Sequence, residues 1–306
     1  MSLCKICRLV LSNSNVPMGL ISEIVTDFLG DGLFDIISFP ELMDEILIRK
    51  KNKKNPLENY LFFQISELLD MHNIEEIIMF VPHYKNSENL LVDLDKRFPK
   101  TKKHVLIYNI SGGKMEVGYN KIIRKYKYHI EPYLYLLCSD GRMVKILSSQ
   151  KNTEINFSGG KNGHHICNPG STYWMSLNPR RKKMIDHISG YIQNYYLKEL
   201  FILHHGPDCG EVVEYHRISG KINSKRALKQ HRTNMEIAWK IFKHLDHKMN
   251  IIAVYFEFKK RIQILKEYKF FLKSHEGLVQ ISSRNYLLNF KTFELIEVPI
   301  KETVFA

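Results

Sequence analysis

Short apolar runs alternate with stretches in which apolar residues recur every three or four positions along most of the chain. The continuous runs Leu9-Val10-Leu11, Ile74 to Val81, Tyr133-Leu134-Tyr135-Leu136-Leu137 and Leu200-Phe201-Ile202-Leu203 predict strands buried on both faces, as in a parallel sheet. Helical spacing appears in Leu61, Ile65, Leu68 and Leu69, and again in Ile185, Ile188, Tyr191, Ile192, Tyr195 and Tyr196, which lead straight into the strand at Leu200. A third stripe, Leu228, Met235, Ala238, Trp239, Phe242 and Leu245, follows Ser224, a residue suited to cap its start. Ile251–Phe258 and Ile262–Leu265, joined by Lys259-Lys260-Arg261, read as a strand pair. So do Val105–Tyr108 and Met115–Val117 across Ser111-Gly112-Gly113. This alternation predicts an α/β protein with a mostly parallel sheet flanked by helices.

Composition narrows the picture. A chain of 306 residues suits one large or two medium domains. No stretch approaches the roughly 20 apolar residues that cross a bilayer, and Met1-Ser2-Leu3-Cys4-Lys5 opens no signal-peptide-like run, so the expected location is cytoplasmic and no membrane is involved. Five cysteines, an odd and low number, argue for a reducing compartment with thiols free to bind metal. Cys4-Lys5-Ile6-Cys7 lacks a second knuckle and reads as two strand-flanking thiols. The net charge of +13 includes the runs Arg49-Lys50-Lys51-Asn52-Lys53-Lys54 and Arg180-Arg181-Lys182-Lys183. Because basic residues are spread over the whole chain, a solvated surface is favoured over a nucleic-acid interface.

The candidate chemistry lies where two buried strands should end. Cys138-Ser139-Asp140-Gly141-Arg142 follows the run 133–137, and His204-His205-Gly206-Pro207-Asp208-Cys209-Gly210 follows the run 200–203. Parallel sheets gather functional groups at their carboxyl edge, and two thiols with an imidazole supply a three-ligand zinc site with a fourth position open to water. In isolation each residue has a plainer role: Asp140 with Arg142 as a strand-end ion pair, the cysteines as buried apolar thiols.

Together the two segments resemble the β-class carbonic anhydrases, whose signature is Cys-x-Asp-x-Arg on one strand and His-x-x-Cys-Gly on another. The first piece matches without a gap; the second carries one extra residue between His and Cys. Cys167-Asn168-Pro169-Gly170 resembles the family's Arg-Asn-Ala-Gly turn, with Cys167 where Arg is usual. The resemblance covers roughly residues 128–265 and implies a Zn2+ cofactor, a lyase activity on CO2 and bicarbonate, and zinc hydroxide as nucleophile. It implies Cys138, His205 and Cys209 as metal ligands, with Asp140 accepting a hydrogen bond from the zinc-bound water and Arg142 holding Asp140 ionised. Such help is needed, because two thiolates cancel the zinc charge and weaken its effect on bound water. His205 is assigned rather than His204 because strand alternation sends the two to opposite faces, and Gly206-Pro207 is suited to absorb the extra residue. Gly141 and Gly170 suit close backbone approach. His164-His165 and Cys167 fall in a stretch from Ser158 to Ser171 rich in turn formers, read as a loop and given no catalytic role.

The first half repeats the same order of elements. Leu11, Asn13 and Asn15 stand where Cys138, Asp140 and Arg142 stand, and Pro82-His83-Tyr84 has no cysteine behind it. The chain therefore reads as a duplicated pseudo-dimer: residues 1–127 a degenerate half without metal ligands, 128–265 the zinc-binding half, and 266–306 a C-terminal extension of extra strands or an interface arm. The family's dimers, with pockets near the subunit interface, make the degenerate copy a built-in partner and leave a further homo-oligomer open. Two alternatives also stay open: hydrolysis of carbonyl sulfide or carbon disulfide, and a non-catalytic module that binds nucleic acid or another anionic partner.

Overall fold

The computed structural model describes residues 8–39, 56–82, 88–149, 162–176, 181–206, 209, 224–246, 248–258, 264–273, 277–288 and 295–298. Cys4 and Cys7, the run Arg49–Lys54, His83, Tyr84, Pro207, Asp208 and the turn at 259–261 lie outside them, as do the side chains of Arg181, Lys182 and Lys183. The elements begin with β1 (Arg8–Asn13), α1 (Met18–Leu29), β2 (Phe34–Phe39), α2 (Pro56–Met71), β3 (Glu76–Pro82) and α3 (Glu88–Arg97). Next come β4 (Lys102–Ser111), β5 (Lys114–Tyr119), β6 (Ile122–Lys127), β7 (Glu131–Cys138), α4 (Gly141–Ser149) and β8 (Gly163–Asn168). A short 3-10 turn (Tyr173–Ser176) precedes α5 (Arg181–Asn194), β9 (Glu199–Gly206), α6 (Ser224–Leu245), β10 (Asn250–Phe258), β11 (Ile264–Lys273), β12 (Gly277–Leu288) and β13 (Leu295–Val298). None of the described helices is long and apolar enough to cross a membrane.

The chain divides into two compact units, one of Met1–Glu131, Ser139–Ser148 and Gly159–Pro169, the other of Pro132–Cys138, Ser149–Ser158 and Gly170–Ala306. Thus α4 and β8 belong with the first unit although they lie beyond residue 127.

In the first unit β1 is the central strand, parallel to β2 on one side and to β3 on the other. β4 continues the parallel order beside β3, and β5 and β6 extend it as an antiparallel meander. β8 adds to β2 in antiparallel sense, with Ser38 opposite Cys167. Leu9, Val10 and Leu11 are wholly buried, as are Ile77 to Val81, which explains their unbroken apolar runs: helices cover both faces of such strands. Arg8 ties strand to helix by donating to the Leu29 and Gly30 carbonyls at the end of α1 (2.6 and 2.7 Å) and to Glu76 on β3 (2.8 Å). It thereby satisfies carbonyls that the helix end leaves open.

The second unit holds β7, β9 and β10 in parallel order, followed by β11, β12 and β13 in antiparallel order. Its strand sequence β7-β9-β10-β11-β12 therefore has the same senses as β1-β3-β4-β5-β6, and in both units a helix precedes the second and the third of these strands. The protein is α/β, with mostly parallel strands at the centre of each unit.

Several expectations shift. The α5 helix stops at Asn194, so Tyr195 and Tyr196 leave the predicted stripe and are exposed; Tyr196 has φ 50°, and the Leu197 N–H turns back to the Ile192 carbonyl. On α6, Met235, Ala238, Trp239 and Phe242 are buried as expected, but Leu245, the last residue of the helix, is exposed. β11 runs from Ile264 to Lys273, across the position where the sequence ended the second half. The segment read as a loop around His164-His165 contains the strand β8, buried along its whole length.

Candidate metal centre

Cys138 closes β7 and His205 lies one residue before the end of β9, two neighbouring parallel strands of the second unit. Cys209 follows three residues after β9 ends. One ligand atom from each of Cys138, His205 and Cys209 lies within 4.8 Å of the others, and all three residues are buried. A tetrahedral ion with Zn–S of about 2.3 Å and Zn–N of about 2.0 Å needs its ligand atoms roughly 3.5–4 Å apart, a spacing compatible with this group. Two thiols and one imidazole form a donor set suited to a borderline-soft divalent ion.

The walls are apolar. Tyr173, on the 3-10 turn, is buried in one cluster with Cys138 and Cys209. The His205 ring meets Phe258 edge to face, with centroids 5.7 Å apart. Neither aromatic carried a sequence signal, since both come from segments distant in the chain and reach the site only through the fold.

His204 has other partners. Its Nε2 lies 2.8 Å from Thr172 Oγ1 and its Nδ1 2.9 Å from His231 Nδ1 on α6. Burial, reinforced by the neighbouring His205, holds His204 down at about 3, so the ring is neutral. In the Nδ1–Nδ1 contact one ring must donate and the other accept. Gly206, between the two histidines and the Cys209 segment, admits no side chain: a Cβ would collide with Tyr255 Oη and lie 3.2 Å from His231 Nε2. The sequence reading gave His231 and Tyr255 no role beyond packing; the fold places them against this turn.

Asp140 and Arg142 belong to the first unit. Asp140 precedes α4 and caps it, accepting the Arg142 backbone N–H at 2.8 Å. The Arg142 guanidinium forks onto the same carboxylate, Nη2 at 2.6 Å from Oδ2 and Nε at 3.0 Å from Oδ1. Asp140 is only 7% exposed, so the bidentate pair is well shielded. Gly141 is a glycine because a Cβ there would sit 2.6 Å from the Phe34 carbonyl oxygen on β2.

Asp35 was absent from the sequence reading. It is wholly buried, accepts the Gly141 N–H at 2.8 Å, and lies 2.5 Å from His72 Nδ1. Burial pushes its carboxyl up to about 6; the His72 contact and the Gly141 N–H offset part of the rise, and the Asp140 charge adds to it.

His164, His165 and Cys167 lie on β8 in the first unit, inside the protein rather than on a loop. His165 Nε2 donates to the Val16 carbonyl at 2.7 Å, which fixes its tautomer and leaves Nδ1 to accept from the Ser38 hydroxyl at 2.7 Å. Cys167 Sγ lies 3.5 Å from the same Nδ1.

These histidines set an expected acid lability. Burial holds both His164 and His165 at about 4 against an ordinary value of 6.5. As pH falls below 6.5 the unfolded chain takes up these two protons and the folded chain does not, so stability falls until about pH 4. Asp35 opposes by one proton below pH 6, because its folded carboxyl protonates before the unfolded one. His204, held down at about 3, adds a third such proton, so the net loss is about 2.7 kcal/mol per pH unit between pH 6 and 4. Urea unfolding at pH 7 and pH 5 should show a lower midpoint at pH 5; identical midpoints would contradict this assignment.

No protein-family model matches the chain, and no curated protein matches it.

Proposed function

We propose that the protein is a zinc enzyme of the β-class carbonic anhydrase kind that catalyses the reversible hydration of CO2. The observation that carries this reading is the buried convergence of Cys138, His205 and Cys209 at the ends of two parallel strands and the segment that follows. Three protein ligands among the described residues would leave one coordination position for water, the arrangement of a catalytic rather than a structural zinc. Zinc bound there supplies a Lewis acid that brings the acidity of water into the neutral range.

The chain's own residues do the remaining work in this proposal. Asp140, two residues along the chain from Cys138, would accept a hydrogen bond from water bound to the ion, the role that the family resemblance gives it. Arg142 holds the Asp140 carboxylate in place through its bidentate fork. Tyr173 and Phe258 provide an apolar wall for an uncharged substrate. The matching strand order of the two units supports duplication, with the first copy degenerate: Leu11 within β1 and Pro82 at the end of β3 carry no side-chain donor atom. One zinc per chain follows.

Metal analysis of the purified protein beside a CO2 hydration assay tests the reading. One zinc per chain and a rate that rises with pH are expected. Asp140→Asn should keep the zinc and lose activity on the order of 100-fold, because an amide can neither stay anionic nor pair with Arg142. A variant as fast as the wild type would reduce Asp140 to a helix cap. Zinc without CO2 hydration would turn the assignment to carbonyl sulfide or carbon disulfide, assayed alongside. A protein that binds no zinc would be the non-catalytic module.

A further inference from the structure

We infer that Asp35, braced by His72, is the positioning residue for the Asp140–Arg142 pair; this deepens the proposed hydration reading and rests on it. Three consecutive residues of β2 grip the segment that carries the pair. The Phe34 carbonyl oxygen packs so closely on Gly141 that only glycine fits. Asp35 Oδ1 accepts the Gly141 N–H at 2.8 Å, and the Ile36 N–H donates to the Ser139 carbonyl at 3.0 Å. The turn between Ser139 and Gly141 is thus bound on both sides of Asp140.

A carboxylate is a costly choice for that grip. Asp35 is wholly buried and its charge is opposed by Asp140, so an unneutralised anion here would be strongly disfavoured. Two features offset the cost. The N-terminal N–H groups of α4 are shared, Gly141 donating to Asp35 and Arg142 to Asp140, so the positive end of the helix faces both anions. Each carboxylate also has its own cation or donor: Arg142 forks onto Asp140, and His72, just past the end of α2, reaches Asp35 Oδ2. His72 thereby spares Arg142 for Asp140 and anchors the turn to a second element. A group that only filled space would need no such arrangement.

The test compares Asp35→Ala, Asp35→Asn and His72→Ala by zinc content, steady-state CO2 hydration and hydrogen exchange at Arg142 Nε–H. Asp35→Ala should keep its zinc and its KM, lose kcat by about 10- to 100-fold, and exchange Arg142 Nε–H faster. Asp35→Asn retains an oxygen for the Gly141 N–H and should recover most of the kcat, a rescue that general destabilisation would not give. His72→Ala leaves the β2 strand intact and serves if Asp35→Ala does not fold; a smaller loss in the same direction is expected. Unchanged kcat and unchanged Arg142 exchange in a folded variant would overturn the inference. A wild type with no hydration activity would overturn the parent reading instead, and the Arg142 exchange rate would still decide whether β2 positions the pair.

Discussion

Cys138→Ser and Cys209→Ser are each expected to abolish stoichiometric zinc. A serine hydroxyl does not ionise near neutral pH and is a poor donor to a borderline-soft ion, so either change removes one of the three proposed ligands. The site cannot recruit a replacement from solvent easily, because both thiols are buried with Tyr173. Metal binding to such a site is also folding free energy, of order 10 kcal/mol in small zinc domains, so the variants should lose the zinc-dependent part of their thermal stability. The wild type should show the same loss on chelation. Unchanged zinc content in both variants would remove the site.

The second large effect separates adjacent histidines. His205→Ala should weaken zinc binding by orders of magnitude, whereas His204→Ala should leave it nearly intact. The two rings serve different partners: His205 joins the thiols, while His204 bonds Thr172 and His231. Removing His204 leaves those two groups buried with one partner fewer and opens a void, a penalty of about 1–3 kcal/mol for the unmet polar groups alone. The cost therefore appears in stability rather than in metal affinity. Zinc competition against a chromophoric chelator, run beside urea unfolding, reads both quantities. Loss of zinc in His204→Ala with retention in His205→Ala would assign the ligand the other way and imply a different end to β9.

What the sequence determined by itself is what depends on short-range pattern. Leu9 to Leu11, Ile77 to Val81, Leu134 to Leu137 and Leu200 to Leu203 are strands because an unbroken apolar run fits only a backbone whose two faces are both covered. The α/β class and the strand ends bearing Cys138 and His205 follow from those runs. The choice of His205 over His204 followed from the two-residue period of a strand, and the converging trio agrees with it. Tertiary structure decided the rest. Gly163 to Asn168 has no apolar alternation and reads as a loop, yet it is a strand because Ser38 and the Val16 carbonyl satisfy His165 from elsewhere in the chain. The helical period continues through Tyr195 and Tyr196, but the chain reverses there, with Tyr196 in a left-handed conformation. Asp35 is a single acidic residue in an apolar run; its role arises only because β2 lies against the turn at Gly141, 106 residues away. Local periodicity records which side of an element is buried. It holds no information about which distant donor meets a buried acceptor, and that pairing places Tyr173, His231 and Asp35 where they are.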